Sequence, residues 1–236
     1  MNWLDRTELL LGKDKLGKLK SSHVLVVGLG GVGAYAAELI CRAGVGKMTI
    51  VDGDVVEKTN RNRQLPALIS SEGKQKTEIL AQRFSDINPD LELIAVSEFI
   101  HDQGINNILD KNSYDYVVDA IDTLSPKTLL LYQSLLRGYK VVSSMGAGGK
   151  TDPSKVMVTD ISKTYNCRLA KMLRKRLSGL GVTKGITVVF SPEVVEEIAI
   201  RAEETKNKKS VVGTISYMPA VFGCFIAGVV IRHLLD

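Results

Sequence analysis

The densest chemistry in this sequence lies between residues 28 and 64. Gly28-Leu-Gly30-Gly31-Val-Gly33 follows the apolar run Val24-Leu-Val-Val27 and precedes a stretch of small residues, so a strand, a tight turn and a helix succeed one another. Glycines there permit the turn and let phosphate oxygens approach backbone N–H groups at a helix start, where the peptide dipoles also favour negative charge. Asp52 closes the next apolar run, Met48-Thr-Ile-Val51, and is placed to accept hydrogen bonds from ribose hydroxyls. Alone, this pattern suits a dinucleotide, or glycines that only pack a helix on a sheet. The segment Asp52-Gly-Asp54-Val-Val-Glu57-Lys-Thr-Asn60-Arg61-Asn62-Arg63-Gln64 adds three acids and two arginines at once. Planar guanidinium forks bind phosphoryl oxygens and offset the charge of a departing pyrophosphate, which suits a triphosphate better, with a solvated charge cluster as the bland alternative. Lys76 can neutralise phosphoryl charge in the same way, and Asp122, ending Val118-Asp-Ala-Ile-Asp122, can help hold a hard cation.

Positioning such residues requires the strands and helices around them. Strands are expected at 23–27, 47–51, 91–95, 115–119 and 140–144, with helices at 31–43, at 74–87 before Asn88-Pro89, and at 127–137. Ser125 is expected to cap the last of these, with Pro126 in its first helical position. Short apolar strands alternating with helices predict an α/β, Rossmann-like fold: a mostly parallel central sheet with helices on both faces and a C-terminal sheet and helix extension. Leucines at 4, 9, 10, 11, 16 and 19 make residues 1–20 a helical arm broken around Gly12 and Gly17. Residues 21–149 read as the nucleotide-binding domain. After Met145-Gly-Ala-Gly-Gly-Lys150, residues 150–236 read as a second lobe, with a strand at 156–158 outside the first set, a basic helix at 167–177 and a strand at 186–190. A polar lysine-rich loop at 203–210 and an apolar terminal helix at 216–235 complete it.

The 236 residues, 44% hydrophobic and 24% charged, exclude disordered and low-complexity classes, and a net charge of +5 favours an anionic partner. Seven basic residues and no acid lie between Ile161 and Phe190. Arg168, Lys171 and Lys175 share a helical face, and with Arg174 they form a candidate RNA-phosphate footprint; an ordinary solvated face is the competing reading. Cys41, Cys167 and Cys224 are too few and too scattered for a disulfide framework or a four-cysteine zinc site, so no structural zinc is expected and a reducing, cytoplasmic setting fits. Cys224 is expected in the core, and Cys167 opens a polar segment. Pro219, Gly223, Gly228, Arg232 and His233 interrupt the terminal helix, which favours a buried core helix over a membrane-attached form.

The glycine loop, Thr59-Asn-Arg-Asn-Arg-Gln64, Gly73-Lys-Gln-Lys76, Ile87-Asn-Pro89 and Val118–Asp122 together resemble the ThiF/MoeB/HesA family, related to ubiquitin-activating enzymes, over nearly the whole chain. That family adenylates a carboxylate with ATP and releases pyrophosphate. Arg6-Thr-Glu-Leu-Leu-Leu-Gly12, Gly146-Ala-Gly-Gly-Lys-Thr-Asp-Pro153 and Val158-Thr-Asp-Ile-Ser-Lys-Thr164 are similar to its tRNA-modifying branch, the threonylcarbamoyladenosine dehydratases. These activate the carboxylate of threonylcarbamoyladenosine at tRNA position 37 and close it into a ring. The resemblance implies ATP and Mg2+ as cofactors, with Asp52 on the ribose and Gly28, Gly30, Gly31 and Gly33 along the phosphates. It gives Asn60, Arg63 and Lys76 to the triphosphate and Asp122 to magnesium and adenylation, while Asp54 and Gln64 join the nucleotide set. It also implies a homodimer in which Arg6 reaches the partner's site, tRNA carrying threonylcarbamoyladenosine as substrate, and a cysteine desulfurase or sulfur-acceptor system as a protein partner. Residues 205–213, where sulfur-transfer relatives often carry a cysteine, have none, so attack by the ureido nitrogen on an acyl adenylate suffices without a thioester. Adenylation of the C-terminus of a ubiquitin-like sulfur carrier is the alternative, and an NAD-binding regulatory module a weaker third.

Overall fold

The computed structural model describes residues 2–205 and 208–236. β1 (His23–Val27), β2 (Lys47–Val51), β3 (Glu92–Val96), β4 (Tyr116–Asp119), β5 (Val141–Ser144), β6 (Met157–Asp160) and β7 (Thr187–Phe190) form one sheet in the order β3-β2-β1-β4-β5-β7-β6. All neighbours pair in parallel except β6, which runs antiparallel to β7. The inner strands are apolar on both sides, as a sheet covered on both faces requires. Val24 and Val26 of β1 join one core with Met48, Ile50, Val118 and Val142, whereas Leu25 and Val27 join the other with Val117, Val141 and Val188. Against the first face lie α3 (Gly33–Arg42), α4 (Lys76–Ile87) and α8 (Tyr217–Leu235); against the second lie α5 (Gln103–Lys111), α6 (Leu124–Leu136) and α7 (Arg168–Ser178).

Several local expectations change. The strand after Lys150 does not stand outside the first set: β6 and β7 extend the same sheet, because β7 finds a parallel partner in β5. The polar stretch read as a loop at 203–210 contributes to an antiparallel hairpin, β8 (Ile200–Thr205) with β9 (Lys208–Val212); Lys206 and Asn207 lie outside the described residues. In the N-terminal arm, α1 (Asp5–Leu11) and α2 (Lys13–Ser21) part at Gly12, where φ is +83°, while Gly17 stays inside α2. The helix expected from residue 127 begins at Leu124 with Thr123 as its N-cap. Ser125 therefore does not cap; its hydroxyl accepts from Arg176 Nη1 at 2.7 Å, and Pro126 sits in a first turn whose N–H groups have no helical partner to lose.

Among the described residues, α8 is the helix long and apolar enough to cross a membrane by length and composition. Met218, Phe222, Ile226 and Val230, spaced by four, are buried in the core shared with α3. A Cβ at Gly223 would come within 2.8 Å of Tyr35 Cβ and the Val32 carbonyl, so glycine there lets the two helices approach closely.

Beneath the C-terminal end of β4 lies a buried ion pair. Asp119 and Lys127 are both 0% exposed, with Nζ 2.7 Å from Oδ2. Ser143 Oγ donates to the same carboxylate at 2.6 Å and the Ile121 amide at 3.1 Å, while Lys127 Nζ also donates to the Ile121 carbonyl at 2.9 Å. Burial pushes the Asp119 carboxyl up, and Lys127 and Ser143 oppose that shift. Removing one partner strands a charge in the interior, so Lys127→Met is expected to lower stability by about 3–5 kcal/mol in urea unfolding. A loss below about 1 kcal/mol would show that the pair does not hold this strand end.

Candidate functional site

The chain leaves β1 and β4 in opposite directions: α3 covers one face of the sheet and α6 the other. In open parallel sheets this reversal leaves a crevice beyond the strand ends, where ligands bind. Four glycines edge it, with different tasks. Gly28 has φ +91°, and a Cβ there would lie 2.7 Å from the Ala120 carbonyl oxygen. At Gly33 a Cβ would fall 1.8 Å from the Gly28 carbonyl oxygen, and at Gly31 2.9 Å from Pro219 Cβ. These three serve close packing of β1, β4, α3 and α8. Gly30 alone faces open space, its nearest neighbour being Gln64 Nε2 at 3.9 Å.

Asp52 ties the loop to β2. Its Oδ2 accepts from the Leu29 amide at 2.6 Å and its Oδ1 from the Asp54 amide at 2.7 Å. Burial pushes this carboxyl up, with Lys76 and the two amides opposing. An ionised carboxylate has lone pairs beyond those two bonds, so a ribose hydroxyl still finds an acceptor. Lys76, buried at the start of α4, forms an ion pair with Asp54 at 2.8 Å. Asn60 is buried as well, and its Oδ1 accepts from the Glu57 amide at 3.1 Å in the capping box of the 3-10 turn Lys58–Asn60. After that turn the chain passes the glycine loop at Arg63, whose carbonyl oxygen would lie 3.3 Å from a Cβ at Gly31. Arg63 Nη1 donates to the Thr59 carbonyl at 2.9 Å and to Asn62 Oδ1 at 2.8 Å. Burial holds its guanidinium below the ordinary value, and the charge of the exposed Asp122 partly restores it. Gln64 Oε1, buried beside Gly30, has no hydrogen-bond partner among the described residues. A buried polar atom of this kind calls for a partner, and it sits beside the one glycine that leaves room for a polar ligand.

The structure thus gathers Gly30, Asp52, Asp54, Asn60, Arg63, Gln64, Lys76 and Asp122 around one crevice. Arg6 is not brought there. It is exposed on α1, near Leu4, whose side chain packs at Gly44 beyond the far end of α3. On α7, Arg168, Lys171 and Lys175 are exposed on one face, whereas Arg174 Nη1 donates to the Thr164 carbonyl at 2.9 Å and to its hydroxyl. Arg176, through Ser125, ties α7 to the first turn of α6, directly after Asp122. Cys224, expected in the core, is exposed on α8, and Cys167 is buried although it opens a polar segment; Cys41 is buried as well, and burial pushes its thiol up to about 12. Two residues escaped sequence reasoning, Lys127 and the buried Lys150; the only signal for either is a lysine inside an otherwise apolar or small-residue stretch.

Comparison with known proteins fits this geometry. The model of the ThiF family matches residues 4–236. The chain belongs to the ThiF family. It is 39% identical to the tRNA threonylcarbamoyladenosine dehydratase of Bacillus subtilis, covering 100% of this chain and 95% of that protein. With the Escherichia coli protein of the same name it shares 39% identity over 80% of this chain and 73% of the relative. The crystal structure of the E. coli tRNA N6-threonylcarbamoyladenosine dehydratase, TcdA, in complex with ATP superimposes with a TM-score of 0.88 at 34% identity, covering 97% of this chain and 92% of that one. The glycines of this ThiF-family chain divide between packing and access. Gly33→Ala is therefore expected to prevent folding. Gly30→Ala should melt like the wild type while nucleotide binding, titrated as ATP, weakens about tenfold. Equal behaviour of the two variants in thermal melting would contradict that division.

Proposed function

We propose that this chain is an ATP-dependent tRNA threonylcarbamoyladenosine dehydratase. The observation that carries the reading is the unpartnered Gln64 oxygen beside the open Gly30, close to an Arg63 guanidinium that the charge of the exposed Asp122 supports, within a chain similar over its whole length to dehydratases of that name. ATP lies with its ribose toward Asp52 and its phosphates over Gly30. Lys76 leaves or shares Asp54 to reach the triphosphate, and Arg63 neutralises charge on it. No group of three or more His, Cys, Asp or Glu suited to a metal occurs among the described residues. A single carboxylate, Asp122, fits magnesium, which is commonly held by one or two carboxylates with substrate phosphates and water supplying the remaining ligands. When bound, the ion offsets charge on the departing pyrophosphate.

The substrate carboxylate oxygen attacks the α-phosphorus and pyrophosphate leaves. The ureido nitrogen then attacks the acyl carbon, loses its proton and expels AMP, so the nucleoside loses one water overall. Both reacting groups belong to one substrate, so no protein thiol is needed. Two of the three cysteines are buried, and a reducing cytoplasmic setting suits all three. The exposed basic face of α7 suits the tRNA backbone, which disfavours adenylation of a protein carrier. A homodimer in which Arg6 completes the partner's crevice accounts for an arm that exposes Leu9 at 89% and Leu10 at 82%. A cysteine desulfurase system is the protein partner that the family resemblance suggests, although the dehydration itself uses no sulfur.

Purified protein, ATP and magnesium with threonylcarbamoyladenosine-containing tRNA should yield a nucleoside lighter by one water in mass spectrometry, and Asp122→Ala should remove that product without unfolding the chain. No mass change with the wild type would overturn the reading. Neutralising Lys171 and Lys175 together should lower the salt dependence of tRNA binding by roughly two phosphate contacts in filter assays, with ATP binding unchanged. Arg174→Ala, which loses the Thr164 contact, should instead act chiefly on stability.

A further inference from the structure

One buried cation lies outside the set gathered around the glycine loop. Lys150 is 2% exposed, and its Nζ donates to the Glu193 carbonyl at 2.6 Å. Burial holds the ammonium below its ordinary value, with Cys167 and Glu193 opposing. An ammonium carries three N–H donors, and a carbonyl is a weak counterpart for a charge withdrawn from water. The preceding turn is built to deliver the lysine: Gly149 has φ +70°, and a Cβ there would strike Val195 Cγ1 at 2.3 Å.

Lys150 lines a cleft of about 320 Å3 with Thr151, Glu193, Glu196, Gly213 and Ile215. That volume lies at the small end of ligand pockets. The Glu193 carboxylate is already engaged: it accepts from the Thr151 amide at 2.9 Å, the Thr151 hydroxyl at 3.1 Å and the Asp152 amide at 2.9 Å. The charged lining residues left for a ligand are Lys150, whose ammonium has donors beyond the Glu193 carbonyl, and the exposed Glu196. The cleft also adjoins the crevice. Asn62 Nδ2 donates to the Thr214 carbonyl at 2.9 Å, so the wall at 213–215 is bonded to the loop that carries Arg63 and Gln64.

We propose that this cleft seats the threonylcarbamoyl side chain of the substrate nucleoside, with the Lys150 ammonium as the cation that binds one oxygen of its carboxylate and leaves the other to attack the α-phosphorus; this rests on the dehydratase reading above. A group that carries both a carboxylate and ureido N–H donors matches a buried cation and an exposed carboxylate. In a site of low dielectric such an ion pair discriminates strongly between a tRNA that bears the group and one that lacks it. The basic face of α7 holds either tRNA by its phosphates, so Lys150 supplies selectivity rather than general affinity.

The test compares modified tRNA with an unmodified transcript of the same sequence. Lys150→Met is expected to raise KM for modified tRNA by about tenfold and to erase the preference over unmodified tRNA, while KM for ATP and the melting temperature stay near wild type. Lys150→Arg should restore part of the preference. A retained preference in Lys150→Met, or equal losses toward ATP and tRNA, would assign the lysine to holding its loop and overturn the proposal. Ile215→Trp narrows the cleft from an exposed wall without touching the lysine, and it decides the matter if Lys150→Met fails to fold. The same selective loss supports the cleft as the seat, and an unchanged KM for modified tRNA refutes it. Absence of dehydrated product with the wild type would instead remove the parent reading, an outcome distinct from any variant result.

Discussion

The first turn of α3 lies so close to the end of β1 that no side chain fits between them, and the crevice depends on that approach. A Cβ at Gly33 would be 1.8 Å from the Gly28 oxygen, and one at Gly28 would be 2.7 Å from the Ala120 oxygen, so β4, β1 and α3 meet backbone to backbone. The residues between, 29 to 31, are thereby forced outward into a loop, and the bond from the Leu29 amide to Asp52 fixes its height above β2. From the other side the buried pair of Asp119 and Lys127 holds Ile121 by both its amide, through the carboxylate, and its carbonyl, through the ammonium. Asp122, the next residue, is carried on that support to an exposed position from which its charge acts on Arg63.

Three of the acids around the crevice are engaged within the chain. Asp52 is engaged with backbone amides, Asp54 with Lys76, and Asp119 with Lys127, which leaves the exposed Asp122 and the Arg63 guanidinium as the charged pair at the opening. A triphosphate entering this arrangement competes with Asp54 for Lys76, an exchange of one anion for a more highly charged one. Past Asp122, the chain turns into α6, and the bond between Ser125 and Arg176 brings the basic helix to the same edge. The crevice and the basic helix α7 therefore meet at one rim of the sheet.

Strand positions were legible where an apolar run ends at a glycine or an acid: β1 and β2 follow the runs closed by Gly28 and Asp52. Less legible were features set by distant partners. Ser125-Pro126 has the local signature of a helix start, yet the helix begins before it, at Leu124, and its first turns carry Lys127 to the distant Asp119. Arg174 looks like its neighbours until Thr164 is placed beside it. α5 has only Ile105, Ile108 and Leu109 as its buried stripe, too short a repeat to declare itself in sequence. α8 is apolar around most of its circumference, so the exposure of Cys224 could not be read from its neighbours. The candidate nucleotide set was legible because glycine and charge carry chemistry by type; Lys150 was not, since only burial reveals it as unusual.

Carboxylate adenylation is the central chemical claim, and oxygen transfer tests it most directly. Threonylcarbamoyladenosine-containing tRNA bearing heavy oxygen in the threonyl carboxylate, incubated with the protein, ATP and magnesium, should deliver one labelled oxygen to AMP as the ring closes, with pyrophosphate unlabelled. Formation of ADP with label in inorganic phosphate, or cyclisation with unlabelled AMP, would contradict attack of the carboxylate on the α-phosphorus.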